Sequence, residues 1–296
     1  MSKHHMQKPS KPDWLKIQMR SGPNFQDLKK IVKDHKLHTV CQEAMCPNMS
    51  ECWERRAATI MILGDTCTRS CRFCAVKTGK PNAVDRQEPQ RTAQAVKQMG
   101  LHHCVITSVD RDDLEDGGAA IWAATIEAIH AEVPGCSVEV LTPDFKGIQK
   151  DIQTVLEAYP EIMSHNMETV ERLHRAIRPQ AQYQRSLDVL KQSVEFGAQT
   201  KTAIMVGIGE TDEEVYRLMD DVRASGTQIF SIGQYLQPTP KHEPVHRYVH
   251  PDTFAAFKEY GLRIGFSYVE SGPLVRSSYH ADEQVIQNPV LSRQVG

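Results

Sequence analysis

Leu63-Gly64-Asp65-Thr66-Cys67-Thr68-Arg69-Ser70-Cys71-Arg72-Phe73-Cys74 follows an apolar run, Thr59 to Leu63, and spaces three thiols as Cys-x3-Cys-x2-Cys. The stretch predicts a strand that runs into a metal-cluster loop. Thiolates are soft ligands that suit iron–sulfur clusters and zinc. Three protein ligands on a four-iron cube leave one iron open to bind something else, and chemistry can happen there. The alternative is a zinc site of three Cys and one His, but structural zinc usually shows paired Cys-x2-Cys or Cys-x2-Cys plus His-x3-His spacing. A second triad lies a short way upstream, where Cys41, Cys46 and Cys52 stand as Cys-x4-Cys-x5-Cys. Two three-thiol sets imply two clusters.

The first triad, with the aromatic Phe73 directly before Cys74, resembles the loop of radical S-adenosylmethionine (SAM) enzymes, in which the open iron chelates the amino and carboxylate groups of SAM. Leu37-His38-Thr39-Val40-Cys41-Gln42-Glu43-Ala44-Met45-Cys46-Pro47-Asn48 and Glu51-Cys52-Trp53 look like the auxiliary-cluster segment of the lipoyl synthase family. Near the C-terminus, Gly272-Pro273-Leu274-Val275-Arg276-Ser277-Ser278-Tyr279-His280-Ala281 is similar to that family's Arg-Ser-Ser-Tyr tail, whose first serine supplies the fourth ligand of the auxiliary cluster. The resemblance covers nearly the whole chain. It implies two 4Fe-4S clusters, one on Cys67, Cys71 and Cys74, the other on Cys41, Cys46, Cys52 and Ser277, with SAM as cosubstrate.

A chain of 296 residues with 40% hydrophobic content can bury one large core. The net charge of -2 gives no general case for nucleic acid. Residues 1–40 are basic, with nine Lys and Arg against three Asp and no Glu. This arm is either solvated or a docking surface for an acidic partner. No apolar run is long enough to span a bilayer, and the N-terminus has no apolar signal core, so the expectation is a cytoplasmic protein that uses no membrane. Clustered thiols in a reducing compartment are metal ligands or catalytic groups more often than disulfides. Cys104, in a strand, and Cys136, after a Pro-Gly turn, read as ordinary small residues.

Short apolar runs alternate with amphipathic helices, the pattern of repeated β-α units on a parallel sheet. Strands are expected near Ile60 to Leu63, Cys104 to Val109, Ser137 to Leu141, Ile162 to His165, Thr202 to Val206 and Ile229 to Ile232. Helices are expected near Phe25 to His35, Pro89 to Met99, Gly118 to Glu132, Ile148 to Ala158, Met167 to Arg175, Gln184 to Phe196, Thr211 to Ala224 and Asp252 to Leu262. Thr211 with Glu214 forms a capping-box pattern. Cys41 to Cys52, with Pro47, Asn48 and Ser50, reads as a loop, and Gly265 to Glu270 as a further strand or extended segment. Six units are too few for an eight-stranded barrel, so the fold class is α/β, a partial (β/α)6 TIM-like barrel with N- and C-terminal extensions carrying the auxiliary cluster. The segments are 1–55, 56–236 and 237–296. His242, His246 and His250 recur every four residues, but Pro244 lies between the first two, which argues against one helical zinc-binding face.

In parallel β-α barrels ligands sit at the C-terminal ends of the strands. Asp116-Gly117-Gly118, after the second strand, is a glycine-rich turn that lets backbone approach a ligand closely, or a solvated helix start. His165-Asn166-Met167-Glu168-Thr169 resembles a family word in which Asn166 and Glu168 face the SAM or substrate pocket; a plain helix N-cap is the alternative. Arg178, in a further resembling segment with Tyr183 and Arg185, is a cation for the SAM carboxylate. Gly207-Ile208-Gly209-Glu210 lacks the third glycine of a dinucleotide word, since Asp212 stands there, and the resemblance makes Gly207 and Glu210 an adenine-supporting turn. Gln234-Tyr235-Leu236-Gln237-Pro238 matches another family word, which implies that Gln234 and Tyr235 bind the cofactor; for Tyr235 the readings are packing against adenosine or a place in the core.

The resemblance implies insertion of two sulfurs at C6 and C8 of an octanoyl chain amide-linked to a lysine of a lipoyl carrier domain. No side-chain acid or base removes such hydrogens, so the hard chemistry belongs to cofactors. A 5'-deoxyadenosyl radical from SAM abstracts hydrogen, and a sulfide of the second cluster captures the substrate radical. The implied partners are an octanoylated carrier (an acyltransferase subunit of a 2-oxoacid dehydrogenase or the glycine cleavage H protein), an electron donor of ferredoxin or flavodoxin type, and an iron–sulfur carrier protein. The alternatives are a non-catalytic iron–sulfur or zinc scaffold, and a radical SAM sulfur insertase for a free small molecule.

Overall fold

The computed structural model describes residues 10–17 and 22–286. Ten strands lie along this part of the chain: β1 (His38–Thr39), β2 (Thr59–Ile62), β3 (Thr66–Cys67), β4 (Lys77–Thr78), β5 (His103–Ser108), β6 (Ser137–Leu141), β7 (Ile162–Ser164), β8 (Gln199–Val206), β9 (Ile229–Gln234) and β10 (Tyr268–Gly272). Eight of them form one sheet in the order β1-β2-β5-β6-β7-β8-β9-β10, and β3 pairs with β4 in a separate two-stranded ribbon. From β2 to β10 the large sheet is parallel, whereas β1 joins its edge antiparallel, with His38 opposite Met61. The six expected strands all form. The seventh parallel strand, β10, extends the sheet beyond the six expected units because the segment after Gly265 pairs with β9 from Tyr268↔Ile229 to Gly272↔Gly233.

The helices are α1 (Pro23–Asp34), α2 (Val40–Glu43), α3 (Met49–Glu54), α4 (Glu88–Met99), α5 (Ala119–Glu132), α6 (Gln149–Glu157), α7 (Glu171–Ile177), α8 (Tyr183–Glu195), α9 (Asp212–Ala224), α10 (Pro251–Arg263) and α11 (Ala281–Ile286). Thr211 caps α9 through a full capping box with Glu214, as its sequence predicts. α7 starts four residues later than expected, because Glu168 at φ 65° forms a bridge to Ile204 and holds the chain extended beside β8.

The segment from Cys41 to Cys52 departs from the expected loop. It forms two short helices, α2 and α3, and Thr39 caps the first by accepting from the Gln42 N–H. Asn48 ties the second to the C-terminal tail, its Nδ2 donating to Leu274 O at 2.6 Å. Trp53, fully buried against Phe25, pins α3 to α1. Removing a buried indole of this kind costs about 3–5 kcal/mol.

All four residues of β2 are buried, as expected for a central parallel strand covered on both faces. Side chains from β2, β5, β6, β8 and β9 (Met61, Thr107, Leu141, Ala203 and Ser231) line one cavity of about 530 Å³. Strands so far apart in the order share a cavity because the sheet curves around it.

Candidate active site

The cavity sits where the C-terminal ends of the strands converge. It is bordered by all three thiols of the first triad, Cys67, Cys71 and Cys74, and by Cys41 and Cys46 of the second. A smaller cavity of about 40 Å³ behind it takes in Cys41, Cys46 and Cys52 together with Arg276, Ser278 and Tyr279. The first triad and two thiols of the second, separate in sequence, therefore face one space, and Cys41 and Cys46 link it to the smaller cavity that holds Cys52.

The first loop is fixed from inside. Cys67 Sγ accepts the backbone N–H groups of Arg69 at 3.4 Å and Asp110 at 3.3 Å. The Arg69 side chain, 3% exposed, meets Asp112, Asp144 and Asp110 at 2.7, 2.6 and 3.3 Å. Arg185 Nη1 reaches Asp144 from α8 at 3.2 Å. Burial by itself raises the Asp144 carboxyl, but the Arg69 hydrogen bond and charge outweigh it and hold the group well below the ordinary carboxylate range. This clamp was absent from the sequence reading. Its signal was the crowd of Asp after two strands, Asp110 to Asp116 and Asp144.

Burial pushes Cys67 up to about 11 and Cys52 and Cys74 up to about 12, and raises Cys41 and Cys71 as well. Such thiols are protonated at neutral pH without a metal, so loading a metal must release their protons. Among the described residues no three His, Cys, Asp or Glu side chains converge on a point where one ion is held. Soft thiols arrayed around a cavity suit a cluster whose irons are spread over a cube.

Asn166 and Glu168 line the cavity and are joined by an Asn166 Nδ2 to Glu168 Oε1 bond of 3.0 Å. Asn166 Oδ1 and Arg178 Nε are buried without hydrogen-bond partners among the described residues. The unpaired Asn166 acceptor, on the cavity wall beside the thiol loop, fits a ligand that carries an ammonium. Arg178 does not border the cavity itself; its Nη1 donates to Asn166 O at 2.9 Å and supports that turn.

Other expected site residues are used differently. Asp116, Gly117 and Gly118 lie outside the cavity lining: Asp116 Oδ1 accepts from Gly118 N at 2.8 Å at the start of α5. A Cβ on Gly118, at φ 91°, would stand 2.5 Å from Leu63 Cδ1, so this glycine serves close packing of α5 on β2. Gly207 and Glu210 also lie outside the lining, and Glu210 accepts from the N–H groups of Gly207 and Ile208 at 2.6 and 2.9 Å, bracing its own turn. Gln234 borders the cavity, but its amide is spent on the carbonyls of Val206, Tyr235 and Arg247 and on the N–H of Val249. Tyr235 also borders it, with its hydroxyl donating to Glu243 O at 2.7 Å.

Ser277 and Ser278 both border the large cavity. The Ser278 hydroxyl is engaged by Thr59 Oγ1 at 2.8 Å, whereas that of Ser277 has no protein partner among the described residues. His242 is no detached surface residue: its Nε2 lies 2.9 Å from Cys74 O and ties the C-terminal segment to the thiol loop.

The chain matches a family model of the radical SAM superfamily over residues 61–222 and one of the N-terminal domain of lipoyl synthase over residues 1–46. A lipoyl synthase of Rubrobacter xylanophilus is 58% identical over 276 residues, covering 93% of this chain and 86% of the relative. One of Shouchella clausii is 54% identical over 283 residues, covering 95% and 92%. Among solved structures, SuiB of Streptococcus suis bound to S-adenosylmethionine superposes with a TM-score of 0.58 at 12% identity over 77% of this chain, which spans about half (54%) of SuiB. Methylornithine synthase superposes with a TM-score of 0.55 at 12% identity, covering 90% of this chain and 88% of that one. At such identities these two structures speak for the fold alone.

Proposed function

The chain belongs to the lipoyl synthase family of the radical SAM superfamily, and from that premise we propose that it inserts two sulfurs at C6 and C8 of an octanoyl chain borne on a lysine of a lipoyl carrier domain. The observation that carries this reading is the single cavity bordered by Cys67, Cys71 and Cys74 and by Cys41 and Cys46 of the second triad, since hydrogen removal and sulfur delivery must reach the same two carbons.

Cys67, Cys71 and Cys74 would hold one 4Fe-4S cluster, and Cys41, Cys46, Cys52 and Ser277 the other. When bound, these clusters and SAM supply the hydrogen-abstracting radical and the sulfur. The protein's own part is binding, orientation and exclusion of water. The N–H groups of Arg69 and Asp110 point hydrogen bonds at Cys67 Sγ and so tune the electron density of a ligating thiolate. Asn166 and Glu168 form the place for the amino-acid end of SAM, with Arg178 supporting their turn from behind, while Asp116, Gly117, Gly118, Gly207, Glu210, Gln234 and Tyr235 shape the loops around it. The aliphatic chain would enter past Val40, Phe73, Val76, Leu236 and Pro238, which border the cavity.

We assign residues 1–55 and 237–296 to the second cluster and 56–236 to the first. Both flanks also add strands, β1 and β10, to the one sheet. The carrier is an acyltransferase subunit or a glycine cleavage H protein, the electron donor a ferredoxin or flavodoxin, and an iron–sulfur carrier restores the second cluster. A cytoplasmic setting suits such labile groups, and among the described residues no helix is long and apolar enough to cross a membrane.

Anaerobic reconstitution tests the reading. It should load about eight irons and eight sulfides per chain. Cys74→Ala should stop release of 5'-deoxyadenosine, while Cys41→Ala should still release it without sulfur insertion. Stoichiometric zinc with little iron, or identical losses in both variants with fold intact, would overturn it.

A further inference from the structure

Around the cavity opening lie several lysines, in a chain whose net charge is -2. Lys11 and Thr78 border the opening, and the exposed Lys77 precedes Thr78 in β4, the strand hydrogen-bonded to Thr66 and Cys67. Lys80, also exposed, follows Gly79, whose N–H donates to Cys67 O at 3.0 Å. Exposed Lys241 lies between Pro238, which borders the cavity, and His242, which is bonded to Cys74 O. Four lysines from three distant parts of the chain thus lie on segments that touch the thiol loop or line the cavity.

Among the described residues, Lys11, Lys80 and Lys241 have no ion-pair partner, and Lys77 has only the charge of nearby Asp65. The carboxylates of this region are already engaged. Glu243 pairs with Arg72 at 2.9 Å and with His246 at 3.5 Å, Glu43 faces His38 at 3.5 Å, and Asp13 pairs with Lys16. Met45, 54% exposed at φ 51°, borders the same cavity as Lys11, beside Ala44 and Pro47. An exposed methionine at an opening is an adaptable apolar contact.

We propose that this rim, Lys11, Lys77, Lys80 and Lys241 together with the exposed Met45, is the docking surface for an acidic folded domain whose acylated lysine reaches down into the cavity. The inference rests on the function proposed above and names the surface chemistry of the macromolecular substrate. A reacting carbon on the end of a side chain can meet two buried thiol triads only if the domain that bears it comes down onto the rim. Charge complementarity then steers and orients that approach. Ammonium groups are point charges suited to scattered surface carboxylates, whereas a phosphate-rich polymer favours forked guanidiniums, and the rim's Arg72 is already held by Glu243.

The test compares two substrates of reconstituted full-length protein: an intact, acidic octanoylated carrier domain and a short, uncharged octanoyl-lysine peptide. The variant is K77E/K80E/K241E. For the domain, kcat/KM should fall roughly tenfold or more, chiefly through KM, and its dependence on salt should flatten. For the peptide, turnover and release of 5'-deoxyadenosine should stay within about twofold of wild type, which also shows that the variant is folded. Equal losses on both substrates, or no loss on the domain, would overturn the docking surface while leaving the proposed function standing. A wild-type protein that modifies neither substrate would overturn the proposed function and this inference with it.

Discussion

Arg69 and Asp112 form a two-point ion pair under the thiol loop, with Nε to Oδ2 at 2.7 Å and Nη2 to Oδ1 at 2.9 Å. The same guanidinium meets the fully buried Asp144, so a residue between two cluster cysteines is bound to loops that follow β5 and β6. Thr78 completes the hold by donating to Arg69 O at 3.1 Å. The loop is therefore shaped by protein contacts before any cluster arrives.

Removing the Arg69 charge should leave Asp144 buried with Arg185 as its one remaining cation, beside the Lys146 N–H. Breaking a buried pair in this way costs about 3–5 kcal/mol, so Arg69→Ala should lower the unfolding free energy by about that much. Arg69→Lys keeps the charge but loses the fork. It should recover part of the stability and still load the Cys67–Cys71–Cys74 cluster poorly, as read by iron content and electron paramagnetic resonance. Full loading with an unchanged spectrum in Arg69→Lys would show that the fork does not position the thiols.

Ser277 is assigned as the fourth ligand of the second cluster because its hydroxyl is free, while that of Ser278 is bound to Thr59. A serine oxygen is a weaker iron ligand than a thiolate, which suits a cluster that must open. Ser277→Cys should retain iron and SAM cleavage but sharply reduce dithiolated product. Normal product from Ser277→Cys with a defective Ser278→Cys would transfer the role to the neighbour, and normal product from both would remove it.

His165 is 1% exposed, with Nδ1 2.9 Å from Thr142 O and Nε2 3.0 Å from Ser186 Oγ. The neutral ring donates to the carbonyl and accepts from the hydroxyl. Burial, helped by the Arg178 charge, lowers it from 6.5 to about 4. A depressed value means that the unfolded chain binds the extra proton first, so this stability is fully present above about pH 6.5 and is lost as pH falls toward 4, some 3 kcal/mol in all. His174, lowered to about 3 chiefly by burial, acts in the same direction, whereas Glu168, raised by burial, acts in the opposite one. Urea unfolding of wild type and His165→Gln across this range isolates the term. The variant should show a shallower loss on acidification, and parallel curves would contradict the assignment.

The strands were legible because parallel β-strands buried on both faces read as short apolar runs, as Thr59 to Ile62 and Ile229 to Gln234 do. The six thiols that the spacings single out are brought by the fold to two cavities that share Cys41 and Cys46. The helices around Cys41 and Cys52 were not legible, since α2 and α3 are short and depend on contacts distant in sequence, such as Asn48 with Leu274. For the same reason the Arg69 clamp escaped notice: its partners follow different strands and meet only when the sheet curves. Asp116-Gly117-Gly118 misled in the opposite sense, because glycine needed for packing on Leu63 looks in sequence like glycine needed beside a ligand.

The central claim is that two triads with thiols facing one cavity deliver sulfur to an unactivated acyl chain, and mass spectrometry of an octanoyl-lysine peptide tests it most directly. The peptide is incubated anaerobically with reconstituted protein, SAM and dithionite. The account predicts a product that has gained two sulfurs, at C6 and C8, and two 5'-deoxyadenosines released for each product. Release of 5'-deoxyadenosine by a fully loaded protein, with no sulfur ever reaching the peptide or an intact octanoylated carrier, would contradict it.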